Sequence, residues 1–226
     1  DYGTTSKTLS YNYDAAGQVV TMNDYFGNQT TSTYTAKGQL STLNAPNSKT
    51  WTMMYDSLGR VVTCTYPNGI STVYSFDAVG RMTAINHKDG ATVKDGFTYA
   101  LDNVGNITRI QQVADGSTSG YWYYTYDNRY RLVTAERKDS SNTLLKRYSY
   151  TYDAGDNILT KLIYTQSSGT TVTNAYTYDN ANELITWYLS STGTYTMTYD
   201  DWGRMTQSAM GSDTWDYSYR YGGKFY

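Results

Sequence analysis

An aromatic residue followed by Asp recurs along this chain every 20 to 26 residues, and four positions after the aromatic stands a residue that tolerates a left-handed backbone. Tyr13-Asp14, Tyr55-Asp56, Phe76-Asp77, Tyr126-Asp127, Tyr152-Asp153, Tyr178-Asp179 and Tyr199-Asp200 carry the motif outright; Tyr34-Thr35, Leu101-Asp102 and Tyr219-Arg220 are degenerate copies. A period of this length marks an array of small supersecondary units. It predicts about ten of them, the last incomplete, in a single array over residues 1–226.

Each column of the repeat has a physical reading. The fourth position holds Gly17, Gly38, Gly59, Gly80, Gly105, Asp156, Asn182, Gly203 and Gly223, types that accept positive φ; Tyr130 breaks the column. Asp-x-x-Gly describes a type I turn closed by a left-handed residue, with the Asp carboxylate accepting from turn amides. The pairs Asp14/Gly17, Asp56/Gly59, Asp77/Gly80, Asp102/Gly105 and Asp200/Gly203 are therefore assigned to structural turns. Position five is polar and position six apolar throughout, as in Gln18-Val19, Arg60-Val61, Asn157-Ile158 and Lys224-Phe225, the period-two signature of a strand with one buried face. Upstream, Tyr148/Tyr150/Tyr152 and Tyr195/Met197/Tyr199 put aromatics on one side.

A second turn between anchors is signalled by Asn68-Gly69, Asp89-Gly90, Asp115-Gly116, Ser168-Gly169 and Thr192-Gly193, dipeptides suited to primed hairpin turns. Two strands and two turns per unit predict an all-β fold of about twenty strands, tandem β-hairpins in one long, curling antiparallel sheet. The wider spacings in the middle imply longer strands or longer outer turns, as at 114–120 and 138–142. The 27 tyrosines suit such a sheet, because the ring buries area while the hydroxyl still finds a partner.

Composition removes several function classes. Charged residues make up 17% of the chain, and the formal net charge of −2 comes from scattered residues with no basic stripe to neutralise phosphates, so nucleic acid is not an expected partner. No apolar stretch is long enough to span a bilayer as a helix. One cysteine, Cys64, rules out an internal disulfide and reads as a small apolar strand residue. The only histidine, His87, beside Lys88-Asp89-Gly90, reads as a surface-turn residue and excludes mechanisms needing two histidines. No nucleophile elbow or phosphate-cradling glycine loop occurs. The carboxylates Asp200-Asp201 and Asp213/Asp216 invite glycosidase or calcium readings, but Asp200 already belongs to a turn and the spacing fits no calcium loop. The expectation is a non-enzyme with no cofactor and no metal.

The segments Tyr-Asp-Ser-Leu-Gly-Arg-Val-Val-Thr at 55–63, Phe-Asp-Ala-Val-Gly-Arg-Met-Thr at 76–83 and Tyr-Asp-Asp-Trp-Gly-Arg-Met-Thr at 199–206 closely resemble the YD or RHS repeat. The resemblance covers essentially the whole chain. It implies a spiralling β-sheet shell like those of RHS toxins and Tc-toxin cocoons, which enclose a C-terminal effector, or of the teneurin-like cell-surface proteins of animals. The family's Asp-Pro-x-Gly core has no counterpart here, since neither Pro46 nor Pro67 follows an Asp.

The expected role is a structural segment of a secreted or cell-surface RHS shell or fibre, bacterial by resemblance, acting in enclosure, display or contact. The array is expected to be a piece of a longer chain, with flanking repeats or a C-terminal cargo domain of the same protein as partners. Its end strands invite self-association. The alternative is a module binding carbohydrate or cell-surface glycans through exposed Tyr and Trp, with Trp122 and Trp202 as candidate contacts.

Overall fold

The computed structural model describes residues 7–219. Among them are nineteen strands and no helix, and the strands pair antiparallel in an open meander. The chain divides into two units, one running to Leu101 and taking in Gln111–Ser119, the other made of Asp102–Ile110 and everything from Gly120.

The first unit contains β1 (Ser10–Tyr13), β2 (Val19–Asn23), β3 (Gln29–Tyr34), β4 (Leu40–Ala45), β5 (Lys49–Tyr55), β6 (Val61–Thr65), β7 (Ile70–Phe76), β8 (Met82–Asp89) and β9 (Thr92–Leu101). It also holds the tip of the hairpin formed by β10 (Ile107–Ala114) and β11 (Ser117–Tyr126). The second unit holds the base of that hairpin, then β12 (Leu132–Lys138), β13 (Leu144–Tyr152), β14 (Ile158–Thr165) and β15 (Thr170–Tyr178). It continues through β16 (Leu184–Leu189), β17 (Gly193–Tyr199), β18 (Met205–Met210) and β19 (Asp213–Asp216). The column residues Gly223, Lys224 and Phe225 of the tenth repeat lie outside the described residues.

The period-two pattern appears directly in β17, where Tyr195, Met197 and Tyr199 are half-buried while Thr194, Thr196 and Thr198 are exposed. One face of the strands carries the anchor aromatics and most of the other rings, with exceptions such as Tyr121, Tyr123 and Tyr188. The other carries many β-branched residues, and threonine hydroxyls meet there across strands, as in Thr125–Thr134 at 2.7 Å, Thr151–Thr160 at 2.6 Å and Thr177–Thr186 at 2.6 Å.

The expected buried face is corrected to a half-buried one. Among the described residues no large apolar side chain is fully buried, and the most enclosed side chains are small: Thr72 at 1% exposure, Asn174 and Ala135 at 5%. A single layer has no second sheet to cover it, so rings shield one another and close over short neighbours. Ala135 lies opposite both Tyr124 and Tyr148, and above β12 the rings of Trp122 and Tyr148 stack at 6.4 Å.

Other expectations are also revised. Asp115-Gly116 does form a primed turn, both residues having positive φ. At Asn68-Gly69 and Ser168-Gly169 only the glycine is left-handed, and its amide donates back three residues, Gly69 to the Tyr66 carbonyl and Gly169 to that of Gln166. Pro67, whose ring sets φ near −65° for the second position of a type I turn, explains the first of these. The long middle repeats come from longer strands, β9 and β11 having ten residues each. His87 is not in a turn: it lies within β8, half-buried, paired across strands with Thr72 and Asp95.

Candidate functional site

The feature that recurs in both units is the rim that follows each aromatic anchor. The Asp carboxylate organises it through two backbone amides. Oδ1 of Asp14 accepts from the amides of Ala16 and Gln18, each at 2.9 Å; Asp56, Asp77, Asp102 and Asp200 accept likewise from the residues two and four positions on. The fourth residue closes the turn with positive φ: 80° at Gly17, 83° at Gly59, 91° at Gly80, 102° at Gly105 and 74° at Gly203. Tyr130 takes φ 60° although its type disfavours it, because the neighbouring bonds of the turn require that conformation. A register shift at most anchors, as between Thr151 and Tyr152, marks the accompanying bulge.

Asp Oδ2 is taken by the side chain at position five. The Nε atoms of Arg60, Arg81, Arg131 and Arg204 donate to Asp56, Asp77, Asp127 and Asp200 at 2.6–2.7 Å. The Arg81 side chain and backbone amide hold the Asp77 carboxyl below the usual carboxylate range. Carboxylates so engaged are turn staples, not free acids or bases.

Position five also reaches forward into the next repeat. Gln18 Nε2 donates to the Gly38 carbonyl and Gln39 Nε2 to the Gly59 carbonyl, both at 2.7 Å. Arg131 reaches the Asp153 carbonyl at 3.0 Å and the Asp156 carboxylate at 2.6 Å. Where the next anchor is Phe76, Arg60 lies 4.2 Å over its ring.

The anchor tyrosine supplies a return tie. Its hydroxyl donates to the position-six carbonyl of the preceding repeat: Tyr34 to Val19, Tyr55 to Leu40, Tyr126 to Ile107, Tyr152 to Leu132, Tyr178 to Ile158, Tyr199 to Leu184 and Tyr219 to Met205, at 2.7–3.1 Å. The reason lies in strand register. Pairing with the following strand begins only two residues further on, at Thr21, Thr42, Thr134, Thr160 and Thr186, so the tyrosyl hydroxyl bridges the gap at the rim. Phe76 and Leu101 have no hydroxyl and make no such bond.

One turn departs from the rest. Glu183 replaces the Arg or amide at position five and faces Asp179 and Asp200. Burial, the hydrogen bond with Asp179 and those two charges push its carboxyl above the usual range.

The two tryptophans singled out as glycan contacts are not brought together. Trp122 stands on β11, half-buried, its ring stacked with Tyr124 at 6.2 Å and Tyr148 at 6.4 Å. Trp202 is at a turn tip before β18, 80% exposed, with the Arg204 guanidinium 4.8 Å over its ring. Five strands, β12 to β16, separate the strands that bear or precede them. A second stack, missed at sequence level, joins Tyr176, Trp187 and Tyr195 at 6.4 and 5.0 Å, with Trp187 Nε1 donating to Asn174 Oδ1 at 3.1 Å. The one-face period of Tyr176, Trp187 and Tyr195 was the available signal, but their cross-strand register was not readable.

Cys64 lies on β6 opposite Met53 and Thr72, in the wall of an apolar hollow of about 370 Å³ with Val61, Tyr66, Tyr74, Phe76 and Met82. Thr72 Oγ1 is 2.9 Å from His87 Nδ1, but with 1% exposure it is too enclosed for a nucleophile. Among the described residues no group of His, Cys, Asp and Glu has metal-binding geometry.

Residues 13–50 and 55–92 match the RHS Repeat family model. No curated protein sequence matches the chain. The TcdB2-TccC3-Cdc42 crystal structure is similar over 92% of this chain, with TM-score 0.57 and 20% identity. The Photorhabdus luminescens Tc holotoxin pore, and TcdB2-TccC3 without its hypervariable C-terminal region, are each similar over 96% with TM-score 0.57 and 21% identity. The chain spans only 12–13% of the length of those chains. At this identity the likeness is one of fold.

Proposed function

We propose that this chain, which carries RHS repeats, is a length of wall: a structural segment of an RHS-type shell whose work is enclosure, display or contact outside the cell or at a bacterial surface. The observation that carries the reading is the double tie between repeats, forward through position five and backward through the anchor tyrosine. Such ties are local and recur along the array, so a ribbon can be lengthened without designing a new core. A non-catalytic role is supported by the occupation of the Asp carboxylates, which hold turn amides and arginines.

The whole array of 226 residues works on this reading as one stretch within a longer chain. Its partners are flanking repeats, which pair with its end strands, and a C-terminal cargo domain of the same protein. The test is limited proteolysis of the complete native gene product, with intact mass before digestion and mass spectrometry of the fragments. The expected result is a C-terminal region protected until the sheet itself unfolds. A C-terminal region cut as fast as the same region expressed alone would overturn enclosure, leaving display or contact.

A further inference from the structure

The long middle repeats put side chains on the threonine face that the short repeats do not. In the first unit, register aligns Thr31, Asn44 and Thr50 across β3, β4 and β5, joined by hydrogen bonds of 3.2 and 2.9 Å. The corresponding row of the second unit reads Tyr123, Glu136, Arg147 and Tyr164 across β11 to β14, each directly opposite the next. One row nearer the anchors, Leu162 follows Thr134 and Ser149 and is 38% exposed. One row further out, Tyr121 stands opposite Lys138, its ring 6.0 Å from that of Tyr123. Lys138 lies 4.9 Å over Tyr123 and the Arg109 guanidinium 6.0 Å over Tyr121, while the enclosed Arg109 Nε donates to no acceptor among the described residues. Glu136 is shared by Lys138, at 3.3 Å, and Arg147, at 2.7 Å. It is the only carboxylate on β10 to β15, strands that also carry Arg109, Arg137, Lys138, Lys146, Arg147 and Lys161.

We propose that this row on the threonine face is a docking surface for an acidic segment of a partner protein, one that carries an apolar side chain beside its carboxylates. Tyrosine and arginine concentrate binding energy in protein–protein contacts, because each buries area and still donates hydrogen bonds. Tyr121, Tyr123 and Tyr164 lie across the sheet from the aromatic ladder and take no part in the ties between anchors, so neither explains them. Beside them Arg147, Ser149, Leu162, Tyr164 and Thr171 enclose a hollow of about 180 Å³, room for one side chain. Charge selects the occupant. Glu136 is already shared between two cations, and Arg109 has no carboxylate partner among the described residues, so an incoming carboxylate meets an excess of positive charge. Cations interrupted by Glu136 do not make the evenly spaced track that a nucleic-acid backbone requires. The row lies toward the rim opposite the anchors, so a partner seats without breaking a tie between repeats. The proposal goes beyond the wall reading and stands apart from it, since no closed compartment is needed.

Fluorescence anisotropy of a labelled acidic peptide combining Glu and Leu, titrated with the 226-residue chain at two salt concentrations, tests the assignment. Saturable binding is expected, weakened by salt. The same peptide with Gln for Glu, and polyglutamate, which offers charge without an apolar side chain, should each bind about tenfold more weakly. Leu162→Thr, Tyr164→Thr and Arg147→Thr give the second unit the polar surface of the first and should each weaken binding by about tenfold, the loss expected of one central interface contact. Threonine suits an exposed strand position, so these variants should melt close to the parent. If one melts early, the peptide series on the parent still decides. Tyr188→Thr, on the same face but outside the row, and Lys161→Gln, on the other face, should bind like the parent. No binding, equal binding of polyglutamate or of the Gln peptide, tighter binding of oligogalacturonate or oligo-dT, or threonine variants that fold and bind like the parent would each overturn the proposal.

Discussion

Along one rim of the strands, turn after turn reuses a residue after the aromatic anchor that accepts two amides, a left-handed fourth residue and a reaching fifth; along the other rim the same staple returns only at Asp24–Gly27 and Asp139–Asn142, among turns of other kinds. The variable rim includes a type I′ turn at Asp115-Gly116, a left-handed pair at Asn47 and Ser48, and glycine-closed turns at 66–69 and 166–169. Both rims close hairpins. Both rims carry bonds between successive repeats, but only on the anchor rim do the same ties recur, the tyrosyl bond backward and the position-five reach forward, so its residues must satisfy two turns at once. The difference teaches that the repeat motif is a record of the stacking contact more than of the hairpin.

Insertion should separate the rims most strongly. Two residues added between Ser57 and Leu58 remove the Asp56 staple and the Arg60 reach, and a marked drop in melting temperature is expected. The same insertion between Ser168 and Gly169 should cost no more than about 0.6 kcal/mol, the loop-closure term alone. Equal losses in chemical denaturation would erase the distinction between the rims.

Next comes the left-handed column. Gly17→Ala meets no atom within 4 Å, so its cost isolates the backbone term, about 1–2 kcal/mol. Tyr130→Gly works in the opposite direction: Tyr130 is 60% exposed and little packing is lost, so a gain of roughly 0.5–1 kcal/mol is expected in urea titrations. Destabilisation there would show that the Tyr130 ring matters more than its φ.

The tyrosyl rungs provide a matched pair. Tyr152→Phe removes the bond to the Leu132 carbonyl and should cost about 1 kcal/mol, whereas Phe76→Tyr should gain a similar amount by adding a rung to Val61. Equilibrium unfolding of both variants checks the sign. A Phe76→Tyr protein no more stable than the parent would mean that the Arg60 stack over Phe76 already does the work of the rung.

The smallest effect is in the pH response of one turn. Glu183 has its folded-state carboxyl raised above the ordinary 4.5, so the folded state holds that proton more tightly and stability falls as pH rises from about 4.5 through the raised value. Asp56 and Asp77 are lowered, chiefly by the Arg60 amide and the Arg81 side chain, and their contribution is present above the ordinary 3.8 and lost as pH falls below it. Glu183→Arg, which restores the residue used at Arg60, Arg81, Arg131 and Arg204, should flatten the first slope and leave the second. Melting curves across pH read both.

Much of this architecture was legible. The anchor spacing marked the turns, and the alternation of Tyr195, Met197 and Tyr199 with threonines showed two unlike faces. His87 was misread because Asp89-Gly90 suggested a turn reaching back to it, whereas β8 continues to Asp89. Position five was read as merely polar, though Gln18, Gln39 and Arg131 clasp the following turn. The opposition of Arg137 to Lys146, and the gathering of Lys146 and Lys161 over the Tyr148 ring at 5.1 and 5.6 Å, were invisible, because these cations come from three strands.

What the chain determines by itself is therefore everything with a short range: where strands stop, which residues turn, and which side of each strand is aromatic, because these follow from φ preferences and a period of two. Cross-strand register was decided by tertiary structure. It sets which tyrosine meets which carbonyl, closes rings over Ala135, Thr72 and Asn174, and leaves Arg137 facing Lys146 without a carboxylate. Such contacts join residues well separated along the chain, and they arise only when a bulge and a neighbouring strand together fix the offset between repeats.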